Sequence, residues 1–174
     1  SRFSYKGTSI KRPRNAYKKK IEQFKSAIDK DGDGIDDQSD ILESALEYVQ
    51  TKPKYESRYY IGGSPDDGYG VCTDVVAMGL KGAGYDLQKL VAEDIREHKG
   101  DYDIKVADSN IDYRRVRNLQ VYFKNNTKSL GSDISKIEEW QGGDIVIFKK
   151  HIGIVSDRRD KNGVPYIIHH GSKI

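Results

Sequence analysis

The sequence predicts one α+β domain, with helices first and a small antiparallel sheet last. Three observations carry that prediction. Apolar residues recur at helical spacing in separate segments from Ala16 to Phe123. Beyond Trp140 the pattern changes to three short apolar runs, 145–148, 151–155 and 165–169, punctuated by turn residues as strands are. At 174 residues, 36% hydrophobic and 33% charged, the chain is long enough to bury one core and has no apolar run near bilayer length. Helices followed by strands read as an α+β layer packing. Ser1 is not a natural start, so an upstream signal or anchor is expected to have been removed.

The first element, residues 1–15, is a basic arm. Arg2, Lys6, Lys11, Arg12, Arg14 and Lys18 to Lys20 occur with no acidic residue before Glu22. Such an arm is either a solvated lead-in or a peripheral contact for an anionic membrane or wall polymer. A net charge of +3, from 30 basic and 27 acidic residues, gives no nucleic-acid signature. From Ala16, residues Ile21, Phe24 and Ile28 are spaced for one face of a helix.

That helix leads into Asp29-Lys30-Asp31-Gly32-Asp33-Gly34-Ile35-Asp36-Asp37-Gln38-Ser39-Asp40, which matches a twelve-residue EF-hand-like calcium loop. Asp29, Asp31 and Asp33 supply carboxylates, Ile35 its carbonyl, Asp37 the ninth position and Asp40 the last. A plain acidic turn would crowd these carboxylates without a cation to relieve them. Asp40 stands where a bidentate Glu is usual, as in dockerin-like modules. A helix through Ile41, Leu42, Ala45 and Val49 completes an expected helix, calcium loop, helix unit over 16–51. The calcium there would be structural.

Residues 52–174 form the remaining region. Its opening stretch, Lys52 to Gly70, carries Pro53, Pro65 and several glycines among Tyr55, Tyr59, Tyr60 and Tyr69, a loop with aromatic anchors. Next comes the only cysteine, Cys72, where a glycine-broken loop runs into a helix start. The helix dipole favours thiolate at such a position, although a free cysteine is also commonly an inert buried hydrophobe. With no second cysteine, an intramolecular disulfide and a Cys-rich zinc site are both excluded. Val71, Val75, Met78 and Leu80 continue the helix to a stop at Gly84. Two further helices cover Leu87 to Ile95 and Val116 to Phe123.

The strands carry the histidines. A hairpin centred on Asp160 sets His151 opposite His169 on one face. A two-residue turn at Asn162-Gly163 instead sets His169 opposite Ser156 and separates the two. Both turns are chemically reasonable.

Several motifs in order carry a resemblance: Gly70-Val71-Cys72-Thr73-Asp74-Val75-Val76, Ala83-Gly84-Tyr85-Asp86-Leu87, Arg117-Asn118-Leu119-Gln120-Val121, Gly143-Asp144-Ile145-Val146 and His151-Ile152-Gly153-Ile154-Val155-Ser156-Asp157. They resemble the bacterial domain-of-unknown-function family numbered 1287, over most of residues 29–171. That family is similar to the NlpC/P60 cysteine peptidases, which are papain-like and attack stem-peptide amides of cell-wall peptidoglycan. The resemblance implies a papain-like fold, a secreted or cell-envelope bacterial protein, and Cys72 as nucleophile, His151 as base and His169 as its orienting partner. Catalysis would need no cofactor, and the protein is expected to be a monomer. Tyr69 and Asp74 are candidates for substrate or oxyanion contact, although Asp74 is read first as a structural residue that caps backbone groups. Two departures stand out: His170 occupies a place where relatives often have Asn, and relatives continue for a further strand past Ile174.

Two other readings remain open. A metal enzyme would use His151, His169, His170 and a carboxylate. A calcium-stabilised envelope-binding module would bind wall polymer without turnover.

Overall fold

The protein is described by a computed structural model over residues 11–171. Helix α1, Asp37–Gln50, starts at Asp36, whose carboxylate accepts from the Ser39 N–H as an N-cap. Its buried residue Ala45 faces Gly79 of helix α2, Cys72–Gly82, while buried Leu42 lies against Gly142. The two helices pack closely because Gly79 and Gly82 present no side chain to Ile41 and Ser44. Helices α3, Leu87–Glu97, and α4, Val116–Asn126, follow, linked through a 3-10 turn at Asp112–Arg114. All four match the helical spacing in the sequence.

Two sheets complete the α+β fold. Strands β1, Lys54–Tyr55, and β2, Tyr69–Gly70, pair in parallel and bracket the tyrosine-rich loop. Strands β3, Ile145–Ile147, β4, Ile152–Arg159, and β5, Pro165–Ile168, form an antiparallel sheet in the order β3-β4-β5. Helix α2 packs on β4, so Val75 and Val76 meet Ile152 and Ile154 in the core, all four fully buried.

The helix expected from Ala16 does not form. Residues 12–24 instead run without helix beside β4 and the loop before β3. The Ala16 N–H donates to the Arg159 carbonyl at 2.8 Å and the Phe24 N–H to Gln141 Oε1 at 2.8 Å. Gln141 Nε2 returns a bond to the Glu22 carbonyl at 3.1 Å. Phe24 and Ile28 are 56% and 59% exposed, so two of the three periodic residues find no core to cover. An isolated helix of this length is marginal without such burial, and bonds to distant loops take its place. The 16–51 unit is therefore a strap, an acidic loop and one helix. Within the basic arm, Arg2 and Lys6 lie outside the described residues. Arg12 pairs with Asp157, and Pro13 accepts a bond from Arg158, which ties that part of the arm to β4.

Candidate active site

Cys72 is the first residue of α2 and is 7% exposed. Burial pushes its thiol pKa up, while backbone N–H groups of Ile152 and Thr73 donate toward the sulfur and oppose that shift. The Asp74 charge adds to the rise. The net direction is upward, so burial outweighs the helix-end effect on which a depressed thiol was expected. The Ile152 contact has a second meaning: it sets Sγ against β4 one residue beyond His151.

His151 and His169 meet. His151 Nε2 lies 3.0 Å from His169 Nδ1, with the rings edge to face at 5.0 Å between centroids. Neither expected hairpin register is adopted. Ile154 pairs with Ile168 and Val155 with Ile167, and a register shift precedes the Arg159–Pro165 pair. The turn spans 160–164 and is closed by the Asp160 N–H to Val164 carbonyl bond at 2.9 Å. His169 consequently flanks Gly153, two residues from His151 on the same face. A Cβ at Gly153 would lie 3.2 Å from the His169 Cβ and 2.8 Å from the Ile168 carbonyl oxygen. The bare glycine thus lets the second imidazole reach the first. Glycine inside a strand signals close approach, so this role was available from the sequence.

Both imidazoles are kept neutral. Burial lowers the His151 pKa, with a smaller contribution from His170. Burial followed by the two neighbouring histidines lowers His169 to about 4. At neutral pH, one ring must therefore donate and the other accept across the 3.0 Å bond. His170 lies edge-on to Tyr55 at 5.1 Å, and its Nε2 is buried with no hydrogen-bond partner among the described residues.

The start of α2 is fixed by a pair the sequence did not disclose. Asp74 is 2% exposed and takes a forked bond from Arg114, Nε to Oδ1 and Nη2 to Oδ2, each 2.9 Å. Asp74 Oδ2 also accepts the Val71 N–H at 2.7 Å, and Arg114 Nη1 donates to the Arg58 carbonyl at 2.7 Å. Both Asp74 oxygens are thus committed to holding the chain around Cys72, which is its structural role. Arg114 sits beside Tyr113 and Arg115 in a segment with no periodicity to mark it.

Tyr69 lies in the wall of a cleft with Tyr48, Pro65, Asp74, Met78 and Tyr113, beside the first turns of α2. Its ring is covered by the Arg58 guanidinium at 3.6 Å. Cys72 itself does not line that cleft. The Tyr48 hydroxyl is buried beside Gly70 with no hydrogen-bond partner among the described residues.

The acidic loop divides. Asp29, Asp31, Asp33 and Asp40 each bring a carboxylate oxygen within 4.8 Å of the others, and among the described residues no histidine joins such a cluster. Asp37, expected in the ligand set, is turned elsewhere. Its Oδ1 accepts the Lys30 N–H at 2.8 Å and its Oδ2 the Tyr85 hydroxyl at 2.5 Å. Ile35 lies in the loop with its N–H donating to Asp33 Oδ1 at 2.8 Å.

The profile of a family described as a domain of unknown function (DUF1287) matches residues 42–174. The chain is also similar to an uncharacterized protein, YijF, of Escherichia coli (strain K12). The two are 39% identical over 126 residues, covering 67% of this chain and 61% of that protein. The chain therefore spans less than two thirds of the length of this curated relative. No solved structure matches it.

Proposed function

The chain belongs to the DUF1287 family, and within that family we propose that it is a papain-like cysteine amidase of the NlpC/P60 kind. It would hydrolyse peptide amides of cell-wall peptidoglycan at the bacterial envelope. The observation that carries this reading is the His151–His169 hydrogen bond at 3.0 Å, on the strand whose next N–H donates toward Cys72 Sγ. The order Cys, His, polar residue is recognised by such roles rather than by chain position.

The chemistry follows from the neutral pair. His151 donates its Nε2–H to His169 Nδ1, which leaves Nδ1 of His151 as the base. As Sγ attacks the amide carbonyl, the thiol proton passes to His151 Nδ1. The oxyanion of the tetrahedral adduct is met by the Cys72 N–H at the start of α2. Its collapse transfers that proton to the leaving amine and forms a thioester. Water then adds to the thioester, gives its proton to His151, and releases the carboxylic acid and the thiol. His169 acts as a positioning residue. Because its pKa is near 4, its Nδ1 keeps the lone pair that accepts from His151 at neutral pH. Tyr69 and the cleft beside it would receive the substrate peptide.

One observation favours a second reading. The 7% exposure of Cys72 and the upward shift of its thiol suit a non-catalytic module that binds wall polymer. A single experiment separates the two. Purified peptidoglycan fragments are incubated with the wild type, Cys72→Ala and His151→Ala, and the products are read by mass spectrometry. A cleavage product made by the wild type and by neither variant supports the amidase. Binding of the fragments without any product supports the module.

A further inference from the structure

Four aspartates at the start of α1 form a site independent of the amidase reading. Asp29, Asp31 and Asp33 are exposed, whereas Asp40, in the first turn of α1, is 5% exposed. Asp40 Oδ2 is buried with no hydrogen-bond partner among the described residues, although its carboxylate lies within 4.8 Å of the other three. A buried carboxylate aimed at three others is costly unless a cation neutralises it. The surrounding donors do not fill this role. Asp29 accepts from the Gly32 and Gly34 N–H groups, and Asp31 from the Asp33 N–H, all on the loop itself.

We propose that Asp29, Asp31, Asp33 and Asp40 bind one calcium ion. An all-oxygen, all-carboxylate set selects a hard cation, and calcium tolerates the irregular, partly hydrated coordination that an exposed loop supplies. Asp37 is not a ligand; its bonds to Tyr85 and Lys30 brace the loop from behind. The ion joins three parts of the chain. The loop connects through the Asp37 N–H to Ile28 carbonyl bond to the strap, and through Asp40 to α1. Asp31 also packs against Gly84 in the turn between α2 and α3. Calcium therefore stabilises the helix pair that carries Cys72 rather than touching the thiol.

Isothermal titration of EGTA-stripped protein with calcium chloride, followed by thermal melts with and without calcium, tests the site. The expected result is one equivalent bound and a melting temperature raised by roughly 5–10 °C at a hundredfold excess over Kd. Asp31→Asn changes an exposed side chain and relieves like-charge crowding, so it does not lower the metal-free melt and folding is controlled. It should weaken calcium binding at least about tenfold, as should Asp40→Asn. Magnesium should bind more weakly than calcium. Absence of saturable binding up to about 10 mM calcium, or binding indifferent to both variants, overturns the proposal.

Discussion

Arg114→Met removes the cation from a pair in which the two side chains are 1% and 2% exposed. Asp74 then keeps the Val71 N–H on Oδ2 but loses both guanidinium bonds, which leaves a buried carboxylate with one oxygen unpaired. Breaking a buried pair in this way costs about 3–5 kcal/mol. For a chain of this size, that loss lowers the melting temperature by roughly 10 °C. The double variant Asp74→Leu with Arg114→Met removes both charges. It should then lose only the cap on Val71 and the Arg58 carbonyl bond, on the order of 1–2 kcal/mol. The double variant is accordingly expected to be about 2–3 kcal/mol more stable than Arg114→Met alone, so the single variants are far from additive. Urea unfolding of the wild type, the two single variants and the double variant, followed by circular dichroism at 222 nm, measures the difference. Additive single variants, or a cost below about 1 kcal/mol for Arg114→Met, would show that the pair does not hold the start of α2.

The remaining predictions concern the histidines. His169 has an ordinary pKa of 6.5 when unfolded and about 4 when folded. Between these values the unfolded chain holds a proton that the folded chain does not. Stability contributed by neutral His169 is therefore present above pH 6.5 and falls as the pH drops toward 4. The loss is on the order of 2–3 kcal/mol and should be missing from the pH slope of His169→Asn, read by melts across that range. Gly153→Val drives a side chain into Ile167 and the Ile168 carbonyl. It should cost about 1–3 kcal/mol and separate the imidazoles, seen as loss of the shared tautomer in nitrogen-15 histidine spectra. Unchanged spectra would show that Gly153 does not set their approach.

Several elements were legible because their cause is local. The spacing of Leu42 and Ala45 marks the buried face of α1, Gly84 ends the turn after α2, and the apolar spacing of Leu87, Val91 and Ile95 marks the buried face of α3. The acidic loop was legible in part. Four of its aspartates converge, but Asp37 is drawn off by Tyr85, a residue 48 positions away. The segment after Ala16 has the periodicity of a helix, but its bonding partners, Gln141 and Arg159, lie on the far side of the sequence and decide its course.

The candidate site divides along the same line. The chemical types can be read along the chain: one thiol at a helix start, two histidines flanking a hairpin, and acidic residues at ligand spacing. Those depend on residue identity and near-neighbour spacing. Tertiary packing shifts the hairpin register, brings His151 and His169 together beside Gly153, and through burial drives the thiol up and both imidazoles down. It also decided that Arg114 reaches back 40 residues to clamp Asp74. Hydrogen-bond partners and solvent exposure arise from which distant segments meet. A linear pattern carries no term for those meetings until the chain has closed on itself.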